Sequence, residues 1–136
     1  GDGMEFERFI SLVSEMASVT SCEESESEET VLTLSTPGGR RQMVRAYPFD
    51  EDGRSYLRFY TSIGKITDLP KQILRTAMEL NSSLTHGAFA LFEGQVVLVD
   101  TMELEGGSPE EGARILGYLG RMADSFEKMV SGVDRG

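Results

Sequence analysis

The sequence predicts an α+β domain in which a twisted, mostly antiparallel sheet packs against helices in the order α-β-β-β-α-β-β-α. Three observations carry this prediction. Apolar residues recur at three- and four-residue spacing near both ends and once in the middle, segments rich in β-branched and aromatic residues lie between, and short Gly- or Asp-containing stretches separate those segments. Turns this short join antiparallel neighbours, and no regular alternation of strand and helix demands parallel crossovers.

Phe6, Phe9, Ile10, Val13, Met16 and Ala17 lie at helical spacing among Glu5, Glu7, Arg8, Ser14 and Glu15, which predicts an amphipathic helix over 4–19. The serine-interleaved run Glu23, Glu24, Glu26, Glu28, Glu29 follows, and its mutual repulsion predicts a solvated loop or a frayed edge strand. Strands are predicted over 30–36, 41–48 and 55–63, joined as a meander by Pro37-Gly38-Gly39 and Asp50-Glu51-Asp52-Gly53. Asp68-Leu69-Pro70 then opens a second helix, Asp68 as its cap and Pro70 in its first turn, with Ile73, Leu74, Ala77, Met78, Asn81 and Leu84 on one stripe. Gly87 releases the chain into strands over 88–92 and 95–102, which turn at Glu93-Gly94. Because Val96, Val97, Leu98 and Val99 are apolar on both faces, the second of these belongs inside the sheet. Ser108-Pro109-Glu110-Glu111 combines a cap, a first-turn proline and acidic residues at the positive helix end, and starts the last helix. Its stripe is Ile115, Leu116, Leu119, Met122, Ala123, Phe126, Met129 and Val130, with Arg114, Arg121, Asp124 and Lys128 off that face, and it ends near Gly132.

A chain of 136 residues supports one core, assigned to 4–132; residues 1–3 read as a cloning remnant and 133–136 as a tail. Apolar runs such as 88–92 are far below the ~20 residues that span a bilayer, so a soluble protein is expected. A single cysteine permits no internal disulfide and predicts a reducing, cytoplasmic setting. The formal charge of −10 opposes phosphate backbones and anionic membranes, which argues against nucleic acid or membrane as partner. It favours solubility and the selection of basic partner segments.

Residues from Leu69-Pro70 through the helix to Leu80-Asn81, then His86-Gly87-Ala88-Phe89-Ala90-Leu91, Val96-Val97-Leu98-Val99 and Met102-Glu103-Leu104-Glu105-Gly106, resemble the YbjN-like family of bacterial proteins. The similarity at residue level covers 69–130, while the element order agrees over almost the whole chain; the acidic 23–29 stretch departs from the pattern. The resemblance implies the fold of type III secretion chaperones and a cytosolic, commonly dimeric protein that acts through protein contacts. It brings no catalytic residues with it.

Residues capable of chemistry are few. His86 is the sole histidine and sits at a helix-to-strand turn, while acidic neighbours of Cys22 disfavour its thiolate. Asp50, Glu51, Asp52 and Gly53 begin like a calcium loop, but Thr61 stands where its last carboxylate ligand belongs. Gly38-Gly39-Arg40-Arg41 lacks the phosphate-loop pattern and reads as a hairpin turn with two solvated arginines. Neither catalysis, metal nor cofactor is expected.

Alternation places Arg45 and Tyr47 on one face of the second strand and Tyr56, Arg58 and Tyr60 on one face of the third. In matching register these five form one patch of the residue types enriched at protein interfaces, and they are the candidate partner-binding residues. Leu32, Leu34, Val44, Ala46, Leu57, Phe59 and Ile63 occupy the opposite face and are expected under the helices. Gly112, Gly117 and Gly120 in the last helix suggest close packing there. The expected function is a protein-binding module, a homodimer that holds a partner segment against its sheet; the alternative is a small-molecule sensor or enzyme with a pocket between sheet and helices.

Overall fold

The computed structural model describes residues 3–25 and 29–135, with side chains over 5–25 and 29–132. Helix α1 (Gly3–Met16) stops short of the predicted boundary, since Ser18 takes a left-handed φ of 56° and turns the chain into strand β1 (Val19–Glu24). This strand corrects the predicted order: residues 19–24 pair with 30–34 of strand β2 (Thr30–Thr36), at the edge of the sheet. Glu26, Ser27 and Glu28 of the predicted acidic loop lie outside the described residues.

Strands β3 (Arg40–Glu51), β4 (Arg54–Lys65), β5 (Ala88–Phe92) and β6 (Gln95–Glu103) complete a six-stranded antiparallel sheet of order β1-β2-β3-β4-β6-β5. Strand β6 lies inside the sheet, between β4 and β5, as its two apolar faces require. The β3–β4 turn is tighter than predicted. Asp50 and Glu51 pair with Ser55 and Arg54, leaving only Asp52 (φ 51°) and Gly53 (φ 77°) in a two-residue turn of the hand that suits a hairpin.

Helix α2 (Lys71–Leu80) departs from the predicted start and end. Asp68 belongs to a 3-10 turn (Ile66–Asp68), Pro70 takes the N-cap place, and no side chain caps the helix. Leu84 falls beyond the helix but still packs on the core. Asn81 at its C-terminus makes contacts that helical spacing did not predict. Its Oδ1 accepts the Phe89 N–H at 2.7 Å and its Nδ2 donates to the Phe89 carbonyl at 3.3 Å. One amide side chain thus pairs with edge strand β5 as a neighbouring strand would.

Helix α3 (Pro109–Arg135) begins as predicted, with Ser108 Oγ accepting the Glu111 N–H at 3.1 Å, and extends past Gly132 through residues read as a tail. Leu32, Leu34, Val44, Ala46, Leu57, Phe59 and Ile63 are all buried, in one cluster with Phe9 and Val13 of α1, Ile73 and Ala77 of α2, and Leu116, Leu119 and Phe126 of α3. The buried apolar side chains of the helices join this cluster, which leaves the second face to strand side chains.

Of Gly112, Gly117 and Gly120 in α3, two mark close approach. A Cβ on Gly112 would lie 2.8 Å from Val13 Cγ2, so α1 and α3 touch at backbone distance, and one on Gly120 would lie 3.3 Å from Leu34 Cδ1. At Gly117 only the flexible Arg121 guanidinium comes near, so close packing is not the explanation there. Arg40 is exposed, as a hairpin-turn arginine should be, but it is not free: its Nε and Nη2 donate to Asp124 Oδ1 and Oδ2 at 2.8 and 3.0 Å. Asp124, predicted to lie off the apolar face, has a side chain only 5% exposed, and this bidentate pair with Lys128 Nζ at 3.7 Å satisfies its charge.

Candidate functional site

On the second face, backbone register alone determines which side chains meet. Pairing runs Glu23, Val31, Arg45, Tyr60, Val99, Ala88 across all six strands; Tyr47, Arg58 and Thr101 form the next row, and Phe49, Tyr56 and Glu103 the row after. Arg45, Tyr47, Tyr56, Arg58 and Tyr60 are therefore contiguous and half-buried.

Directional contacts fix the patch. The Arg58 guanidinium carbon lies 4.3 Å from the Phe49 ring centroid and 6.0 Å from that of Tyr47. Arg58 Nε also donates to Thr101 Oγ1 at 3.0 Å, and Nη1 to the Tyr47 hydroxyl at 3.3 Å. Phe49 stacks on Tyr56 with centroids 5.3 Å apart, while Tyr60 meets Tyr47 and Phe92 edge-on at 6.2 and 5.4 Å. The Tyr60 hydroxyl donates to Glu29 Oε2 at 2.6 Å, and Arg45 Nη1 lies 3.7 Å from the same oxygen. Burial first, and then this bond to a carboxylate, keep the Tyr60 phenol protonated well above its usual range.

Beside the patch is a hollow of about 520 Å³ lined by Ala88, Ala90, Val97 and Val99, with Tyr60, Phe92, Arg58 and Asp100 also on its lining. It arises because β5 places alanines on this face, where larger residues would fill the space. Gly87 at its margin has no room for a side chain: a Cβ would lie 2.6 Å from the Val99 carbonyl oxygen, and its φ of 71° disfavours other residues. The alternative reading placed a pocket between sheet and helices, but this apolar hollow lies on the opposite face. Sequence reasoning missed Phe49, because the predicted strand stopped at Pro48, and it missed the hollow. The period-two series Ala88, Ala90, Phe92 was the available signal.

A smaller concavity of about 260 Å³ opens where β3 and β4 part beyond the Arg45–Tyr60 pair. Thr61 Oγ1 bridges the gap by donating to the Met43 carbonyl at 2.7 Å and accepting from Gln42 Nε2 at 2.8 Å. Glu127 of α3 reaches this place, and burial pushes its carboxyl above the ordinary carboxylate range, aided by the Asp124 charge and opposed by Gln42 and Arg40. Elsewhere, His86 packs edge-on against Tyr118 at 5.3 Å, and Cys22 is an exposed thiol. Among the described residues no group of three or more His, Cys, Asp or Glu is placed to hold a metal ion. No described helix is long and apolar enough to cross a membrane.

An antiparallel six-stranded sheet with flanking helices in this order is the type III secretion chaperone-like fold. The chain is similar to a chain of the HopA1–SchA chaperone–effector complex, at 12% identity and a TM-score of 0.58, over 94% of this chain and 99% of that one. It is likewise similar to a chain of the ExsC–ExsE complex, at 18% identity and a TM-score of 0.60, over 91% and 94%. Identities this low establish the fold. No protein-family model matches the chain, and no curated protein matches it in sequence.

Proposed function

We propose that this protein is a non-enzymatic, chaperone-like module that holds a segment of a partner protein against the helix-free face of its sheet. The observation that carries the reading is the contiguous Arg45, Tyr47, Tyr56, Arg58, Tyr60 patch beside an apolar hollow. Stiff aromatic and guanidinium groups held in place before binding lose little freedom on contact, which is why such residues dominate interface energies. Support also comes from the fold's occurrence in two complexes, one of them a chaperone with its effector. The YbjN-like pattern over 69–130 points the same way and to a bacterial cytoplasm.

The working unit in this proposal is a homodimer. Met78 of α2 and Leu91 of β5 are 68% and 64% exposed, apolar groups that a second copy could cover. Sedimentation at several concentrations tests this part, and a monomer throughout would reject it. The partner surface is tested by the Tyr56→Ala/Tyr60→Ala double variant in a pull-down from native lysate. Partner recovery should fall while the fold is retained by circular dichroism, and undiminished recovery would reject the surface.

A second reading draws on the hollow itself, whose volume lies within the range of small-molecule sites, roughly 300 to 1,000 Å³. A small molecule co-purifying with the chain, and lost on Ala90→Phe, would favour it.

A further inference from the structure

We propose that the occupant of the helix-free face is an amphipathic helix whose apolar end seats in the Ala88/Ala90 hollow and whose basic end lies toward Glu23 of β1. This rests on the reading of the face as a partner-binding surface and specifies the partner's form and polarity.

Form follows from hydrogen bonding. Strands inside the sheet direct their backbone donors and acceptors in-plane to neighbouring strands, so the face presents side chains and no free ladder. An extended segment laid on it would bury its own backbone N–H and C=O groups without partners, whereas a helix brings them already paired. Addition at an edge would suit an extended segment, but edge strand β5, next to the hollow, already pairs at Phe89 with the Asn81 side chain.

Polarity follows from the row that crosses the sheet. Ala88 and Val99 are at one end, Tyr60 and Arg45 in the middle, and Glu23 at the other, with Glu29 bound to Tyr60 and Arg45. Arg45 and Glu29 offset one another, and Arg58 is held by Thr101, Tyr47 and Phe49, which leaves Glu23 as the charged end of the row. The chain's formal charge of −10 adds a long-range field of the same sign as Glu23. Five strand spacings of about 4.8 Å separate Ala88 from Glu23, about 24 Å in all, which a helix of about 16 residues spans.

The test uses the full chain and a fluorescent synthetic helical peptide of about 18 residues, with Leu and Phe on one face at one end and Lys at the other. A counterpart carries Glu in place of Lys. By anisotropy, the Lys peptide should bind at least about tenfold more tightly than the Glu peptide, and its affinity should fall with added salt. Ala90→Phe, which fills the hollow, and Phe92→Ala, which removes part of its lining, should each weaken binding about tenfold with thermal midpoints close to the parent's. Equal affinity for the two peptides would overturn the polarity, and indifference to both substitutions would overturn the location. Failure of both peptides to bind would overturn the helical form. The lysate pull-down with the Tyr56/Tyr60 variant uses no peptide and judges the underlying reading separately.

Discussion

Strand β4 supplies two chemistries by alternation: Leu57, Phe59 and Ile63 face the helices, while Tyr56, Arg58 and Tyr60 face away. Leu57 and Phe59 are fully buried, and their stabilisation comes from area removed from water, at about 25 cal/mol per Å². The opposite residues are half-buried, and ring edges, a guanidinium over a ring and a phenol–carboxylate bond set their positions. Covered side chains stabilise the fold through volume, whereas uncovered ones hold a shape that another molecule can use.

This contrast is most directly broken by truncation on each side of one strand. Phe59→Ala should cost about 3 to 5 kcal/mol in urea unfolding, and Tyr56→Ala about 1 kcal/mol. Equal costs would mean that the second face is itself a core. At the boundary between helix and sheet, Asp124→Asn should cost about 2 kcal/mol by removing the charge that Arg40 grips with two bonds, measurable by the same unfolding curves. Gly112→Ala should destabilise by about 1 to 3 kcal/mol through its clash with Val13, while Gly117→Ala, free of such contact, should stabilise by up to about 1 kcal/mol. Opposite signs in thermal unfolding would confirm that only one of these glycines is there for packing.

The smallest effect is electrostatic. Burial raises the Glu127 carboxyl above its unfolded value of 4.5, so the native state holds that proton more tightly than the unfolded chain does. The stability linked to it is fully present below pH 4.5 and is lost as pH rises through the native value. Glu127→Gln should therefore raise the thermal midpoint slightly at about pH 7 and leave it unchanged at about pH 4.

Much of this was legible because period and burial coincide. Alternation in residues 30–36 and 55–63 identified the covered face, and Ser108-Pro109 located the start of α3. Strand β1 was legible only at its Glu23-Glu24 end, within the stretch read as a loop or a frayed edge strand; Val19-Thr20-Ser21-Cys22 is largely exposed, so no buried alternation marks it. Asp124 looked like a surface residue because its partner, Arg40, is 84 positions away, and one-dimensional spacing carries no information about such a pair. The Tyr/Arg patch was visible strand by strand, but the hollow was not, since a cavity is defined by the residues that fail to fill it. Asp68 had the right residue type for a cap, yet the 3-10 turn moved the helix start beyond its reach.

Asn81 makes the cover of the β5 edge at Phe89 depend on one amide side chain. Its amide nitrogen and oxygen occupy donor and acceptor places opposite Phe89, and hydrolysis to aspartate would turn the donor into a second acceptor facing a carbonyl. Asn81→Asp should thus accelerate hydrogen exchange at the Phe89 amide, and unchanged protection there would contradict the idea. The cover of one residue's backbone at this sheet margin thus rests on a single side-chain amide.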